Sequence, residues 1–238
     1  MVVSLPPRPS PIVRCHASST LPPTASSTSS RVLPPTFRWT SKNGWTVRLI
    51  NKANPVEIAA VVRLQTEGFH TPSPVPFLDD TFKRFFAAEV LAEMNKKLRY
   101  NPEDRFVCLV AEKEGLLQPT PPSSSSLSSI VGVVEVSYID IKEVLNSLEP
   151  GMEGVTYIQS MAVDPMQRRR GVASALLGGA EKVAKEWAEK MAVLHVYQDN
   201  ESAISLYKKQ GFDVIFQDAP WLAKLAVRPR YLMRKDMY

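Results

Sequence analysis

MAVDPMQRRRGVASALL, residues 161–177, and LHVYQDNESAISLYKKQGF, residues 194–212, decide the fold of this chain. Tyr157 to Val163 is apolar and β-branched enough for a strand, and Asp164-Pro165 stops it. Arg168, Arg169 and Arg170 follow, and Gly171 opens a helix whose apolar positions Val172, Leu176, Ala180, Val183 and Trp187 recur near the helical period. The N–H groups at a helix start have no intrahelical partner, and the dipole there is positive. A glycine lets backbone approach an anion closely. With three arginines alongside, the best-fitting ligand is a pyrophosphate. Neither the P-loop pattern nor G-x-G-x-x-G is present, which argues against an ordinary nucleoside triphosphatase or dinucleotide site.

The second stretch follows the same logic. Met191 to Tyr197 is strand-like, and Asn200 is placed to cap the helix after it. Ala203, Leu206 and Tyr207 recur at helical spacing, and Gly211 ends the helix as a residue free to take positive φ. A tyrosine, with an ordinary pKa of about 10, stays protonated at neutral pH and suits the role of proton donor to a leaving thiolate.

These two blocks resemble those of the GNAT N-acetyltransferases, particularly plant plastid enzymes that acetylate protein N-termini and lysines. Arg168, Gly171 and Ala173 match the family's Arg/Gln-x-x-Gly-x-Gly/Ala signature. Leu194, Val196, Asn200, Ala203, Leu206, Tyr207, Gly211 and Phe212 match its second signature without a gap. The resemblance implies an α/β (α+β) acyl-CoA N-acyltransferase fold with a central mixed sheet of about six to seven strands flanked by helices. It implies acetyl-CoA as cosubstrate and no metal. Backbone groups of Met161, Ala162 and Val163 would pair with the pantetheine arm. Arg168, Arg169, Arg170, Gly171, Val172, Ala173 and Ser174 would hold the pyrophosphate. Asn200, Glu201 and Ser202 would contact the carrier near its thioester, and Tyr207 would protonate the departing thiolate. A backbone N–H near Val163 would stabilise the oxyanion.

One departure from the family concerns the base. Many members carry a Glu on the central strand, which here reads Tyr-Ile-Gln-Ser-Met-Ala-Val. Glu135 on the preceding strand is the nearest carboxylate, and a paired strand charge is its simpler reading. An α-amine has a pKa near 8 and a lysine near 10.4, a gap of roughly 3 kcal/mol in deprotonation. A site without a strong base favours protein N-termini. His195 alternates with Leu194 and Val196 and reads as a strand-face residue, Cys108 as a small core residue. His16, His70 and His195 show no metal spacing.

The N-terminal material is of another kind. Met1 to Val56 contains no Asp or Glu, seven Arg and Lys, and a Ser/Thr/Pro-rich run from Ser4 to Thr36. That composition is expected of a plastid transit peptide, directing the chain to the chloroplast stroma, with residues 1–44 as leader and 45–238 as one domain. The whole chain is +5; without those seven bases, 22 remain against 24 acids, a net of −2. The basic balance therefore belongs to the leader and points to no nucleic-acid partner. No apolar run is long enough for a membrane span.

The rest of the chain reads as a strand at Trp45–Asn51, a helix at Val56–Phe69, and a second helix at Asp80–Leu98. Phe82, Phe85, Phe86, Val90, Leu91 and Met94 are expected to be core on that helix. Strands follow at Arg105–Glu112 and Ile130–Ile141, with a mobile Pro/Ser tract at 118–129 between them. Phe212–Phe216 and Tyr231–Arg234 complete the set. The acceptor site is expected from Phe69–Phe86 and Pro220–Arg230, with Trp221 and Tyr231 as candidate lining. Proteins or peptides are the expected amine partners. A small amine, or coenzyme A binding without turnover, are the alternatives.

Overall fold

The computed structural model describes residues 31–72, 75–113, 129–219, 221 and 228–237. A hairpin opens it, β1 (Arg38–Thr40) and β2 (Trp45–Leu49), followed by helices α1 (Pro55–Phe69) and α2 (Asp79–Tyr100). Strands β3 (Phe106–Lys113) and β4 (Ile130–Ile139) come next, then a one-turn helix α3 (Lys142–Leu145) and β5 (Val155–Val163). Helix α4 (Val172–Glu186), β6 (Met191–Tyr197), α5 (Glu201–Lys209), β7 (Asp213–Gln217) and β8 (Arg230–Asp236) complete the elements of the described residues.

The strands form one sheet in the order β1-β2-β3-β4-β5-β6-β8-β7, antiparallel everywhere except between β5 and β6. Helix α4 packs on one face, where Val172, Leu176, Ala180, Val183 and Trp187 are all buried, as their spacing predicts. Tyr207 of α5 and Phe212 join that core. Helices α1 and α2 cover the other face through Val61, Leu64 and Met94 against Cys108, Val110 and Val133. Asn54 caps α1 by accepting from the Val56 N–H, with Pro55 in the first turn, where its missing N–H costs nothing.

A buried polar cluster ties this second layer down. Glu135 is 1% exposed and accepts from Gln65 Nε2 of α1 at 2.7 Å and from Lys97 Nζ of α2 at 2.8 Å. The carboxylate is thus a paired strand charge. Its partners come from two helices, so it fixes both to β4.

Several expectations need correction. Among the described residues the sheet has eight strands rather than six or seven. The additional one is β1, inside the segment read as leader. Leu33 and Phe37 just ahead of it are buried in the core under α4, so the folded unit extends upstream of residue 45. Its start was hidden because acid-poor composition continues through these residues although they pack. The aromatic face of α2 is also not core: Phe82 and Phe85 are 42% and 70% exposed and Leu91 is exposed, while Val90, Met94 and Lys97 are buried. The helix is long and touches the sheet only along a narrow stripe. Residues 118–128 of the Pro/Ser tract lie outside the described residues, as do 1–30 of the leader.

Candidate active site

The site begins with a defect in the sheet. Glu135 pairs with Gln159, but Val133 pairs with Ala162, so β5 carries one residue more than β4 across this interval. Ser160 takes φ 52° there, the left-handed conformation that a bulge can impose on a non-glycine residue. Bulges bend a strand and increase its twist. Here β5 pairs with β6 only through Thr156, Tyr157 and Ile158. Beyond these, β6 runs on beside β8 to Tyr197 while β5 stays with β4 to Val163. A wedge opens between the C-terminal ends of two parallel strands.

Met161, Ala162 and Val163 form one wall of that wedge. The Asp164 N–H bonds the Val131 carbonyl of β4. Backbone groups alternate sides along a strand, so those of Val163 face the side vacated by β6. Among the described residues no strand pairs with that edge, whose Val163 carbonyl accepts only from Arg168 Nε at 3.4 Å.

At the mouth of the wedge, Asp164 accepts from the Met166 N–H and starts a 3₁₀ turn at Pro165–Gln167. Arg168, Arg169 and Arg170 are exposed, and Arg169 and Gly171 adopt positive φ of 61° and 86°. Gly171 is the N-cap of α4 and offers no side chain to its N–H groups, the first intrahelical bond being Ala175 N–H to Gly171 O. The first turn, Val172 to Ser174, is therefore a helix start with no side-chain cap, preceded in the chain by three arginines, and suited to an anion. Arg168 turns back to the Val163 carbonyl at 3.4 Å, and Arg170 to Gln167 at 3.3 Å.

Across the wedge, Asn200 caps α5, accepting from the Ala203 N–H and Ser202 hydroxyl, each at 3.2 Å. Gln210 Nε2 reaches Ser174 Oγ at 3.5 Å and links the end of α5 to the first turn of α4. Tyr207 lies between, 9% exposed, with its ring edge-on to Phe212 at 6.1 Å. Burial pushes its phenol up to about 12, so it stays protonated across any assay pH. Met161–Val163 and the turn Arg168–Ser174 thus follow β5 on one side of the wedge, and Asn200–Ser202 and Tyr207 follow β6 on the other.

The structure adds a pair that the sequence reading passed over. Tyr157 Oη lies 2.8 Å from His195 Nδ1, the rings tilted at 5.7 Å. Parallel pairing sets Tyr157 beside Val193, so His195, two residues on, points to the same face at the start of the wedge. Burial, helped by the Arg230 charge and only partly offset by Asp218, lowers His195 to about 4. The imidazole is neutral at physiological pH and has a lone pair to offer.

Helix α1 ends against β5: a Cβ at Gly68 would lie 3.1 Å from the Ala162 Cβ. Phe69 and Phe77 beyond it are 46% and 82% exposed, and Phe82 and Phe85 in α2 are exposed too. His70 bonds Asp79 at 3.0 Å, joining the ends of α1 and α2. Of the expected C-terminal acceptor loop, 220 and 222–227 lie outside the described residues; Trp221 is 58% exposed and Tyr231 packs against the core. Cys108 is buried with its thiol pushed well up, chiefly by burial, which leaves it inert. Among the described residues there is no cluster of metal-ligating side chains and no helix long and apolar enough to cross a membrane.

Comparison with known proteins gives a consistent result. The profile of the acetyltransferase (GNAT) family matches residues 74–212. GCN5-related N-acetyltransferase 10, chloroplastic, of Arabidopsis thaliana is 36% identical over 198 residues, 83% of this chain and 74% of that protein. Arabidopsis thaliana NAA60 in complex with acetyl-CoA superposes with a TM-score of 0.56 at 17% identity, over 81% of this chain and 98% of that one. The same protein in complex with a bisubstrate analogue gives 0.55 at 18% identity, over 82% and 99%. At these identities the two structures establish likeness of fold.

Proposed function

The chain belongs to the acetyltransferase (GNAT) family, and we propose that it transfers the acetyl group of acetyl-CoA to primary amines of proteins, N-terminal α-amines and lysine ε-amines. The observation that carries this reading is the wedge between β5 and β6, with the uncapped start of α4 at one end and the Tyr157–His195 pair at the other. The pantetheine arm lies along Met161–Val163 and the pyrophosphate on Arg168–Ser174. Asn200, Glu201 and Ser202 flank the arm.

The amine attacks the thioester carbonyl directly, the C–N bond forms, and the C–S bond then breaks. Tyr207 gives its proton to the leaving thiolate. The proton lost by the amine passes to the Tyr157 oxygen as the Tyr157 hydroxyl hands its own to His195 Nδ1. This relay supplies the base that the strand lacks as a carboxylate, and Glu135, committed to Gln65 and Lys97, is not needed. His195, lowered to about 4, is a weak base. The site accordingly favours α-amines, which lose a proton more readily than lysine.

Exposed Phe69, next to the Gly68 that meets Ala162, and the exposed Phe77, Phe82 and Phe85 that follow it in the chain favour a peptide over a polyamine, which would call for a closed, acidic pocket. The relative named chloroplastic supports plastid residence, with the acid-poor segment ahead of Arg31 serving as the transit peptide. Incubation of the purified protein with acetyl-CoA and peptides tests the reading: acetylated peptide with matched thiol release supports it, and acetyl-CoA binding without product rejects it.

A further inference from the structure

Resting on the acetyl-CoA reading above, we infer that the β1–β2 hairpin is part of the pyrophosphate site and that Trp45 is a positioning residue for it. The indole Nε1 of Trp45 donates to the carbonyl of Arg170 at 2.8 Å, across 125 positions of sequence, from a side chain only 5% exposed. Arg170 is the last residue before the N-cap of α4. A peptide unit is planar and trans, so its C=O and N–H point in opposite directions. Holding the Arg170 carbonyl toward Trp45 therefore turns the Gly171 N–H away from it, toward the open side where the anion lies. The two flanking left-handed residues, Arg169 and Gly171, make this peptide a conformation in need of an external fix.

The hairpin is built to hold that indole in place. Its turn is closed by Ser41, whose N–H donates to the Trp45 carbonyl and whose hydroxyl and carbonyl accept from the Trp45 and Gly44 N–H groups. Gly44 takes φ 73° at the tip. The strand before the turn is anchored on α4 itself, where the Trp39 ring covers Gly178 so closely that a Cβ there would come within 2.6 Å. Within the turn, Asn43 sits directly over Gly171: a Cβ at Gly171 would lie 2.4 Å from Asn43 Nδ2. An amide N–H at that place is a donor to any phosphate oxygen bound at the helix start. The hairpin thus supplies an outer wall to a site whose inner wall is the arginine turn.

The test compares Trp45→Phe, which keeps the ring and deletes the donor, with the unsubstituted protein. Two donors are used: acetyl-CoA, and acetyl-pantetheine, which has the thioester arm and no pyrophosphate. Loss of one hydrogen bond that orients a charged contact raises KM for acetyl-CoA about tenfold, with kcat at saturation kept. The ratio of kcat/KM for acetyl-CoA over acetyl-pantetheine then falls by the same factor. Asn43→Ala, an exposed change that leaves the core intact, lowers the ratio in the same direction. An unchanged ratio in both variants, or an equal loss on both donors, overturns the inference. Failure of the unsubstituted protein to bind acetyl-CoA would instead overturn the reading on which it rests.

Discussion

The Tyr157 hydroxyl lies 2.8 Å from Nδ1 of His195, across the last rung before β5 and β6 part. The pair lies where the wedge between the two strands begins. The bulge at Ser160 lies two residues beyond that rung, where β5 continues beside β4 without β6.

If the pair moves the amine proton, Tyr157→Phe and His195→Ala each lower kcat by about 100-fold with KM for acetyl-CoA unchanged. The double variant is no worse than about either single one, because the two groups act as a unit. Steady-state kinetics on the three variants check this. Additive losses would mean that the groups act separately.

His195 also sets a pH signature. Its folded pKa, about 4, lies below its unfolded value, so the unfolded chain binds the extra proton between those two limits. Stability contributed by the neutral, buried imidazole is present above the ordinary histidine range and is lost as pH falls toward 4. Replacement by Gln removes this slope. Thermal unfolding of both proteins from neutral to mildly acidic pH reads it out, and parallel curves would reject the assignment.

Tyr207→Phe removes the phenol hydroxyl and leaves the packing against Phe212. The expected result is a loss of kcat of about 100-fold with acetyl-CoA affinity preserved. Unchanged turnover would remove the phenol from the chemistry.

Gly171→Val acts on binding instead. Asn43 can swing away from the new side chain, so the cost resides chiefly in the φ of 86°, which an L-residue adopts at about 1–2 kcal/mol and a β-branched one at more. Calorimetry with acetyl-CoA is expected to show about a tenfold or greater loss of affinity.

The Glu135–Lys97 pair makes the clearest stability prediction. Lys97→Met alone leaves a buried carboxylate with only Gln65 and costs about 3–5 kcal/mol. Changing Glu135 to Leu as well restores most of it, since the apolar pair no longer buries a charge. Chemical denaturation of the single and double variants separates the two.

The central part of this architecture was legible because its signals are local. Apolar spacing on α4, the Asn200 cap and the positive-φ glycines at 171 and 211 each sit within a few residues of what they determine. What stayed hidden depends on distant pairing. His195 was indistinguishable from a core strand residue until the parallel register set it beside Tyr157. Trp45 gave no sign of its contact with Arg170, and β1 was masked by the composition of the leader that precedes it. The phenylalanines of α2 follow a helical period, but which part of a long helix meets the sheet is settled by tertiary packing.

The most direct test of the central claim offers the purified protein acetyl-CoA together with two matched peptides, one with a free α-amine and no lysine, the other N-terminally blocked with a single lysine. Products are read by mass spectrometry over time. The account predicts acetylation of both, with the higher kcat/KM on the α-amine. Preference for the lysine peptide would contradict the weak-base argument, and acetyl transfer to small amines alone would contradict the assignment of proteins as acceptors.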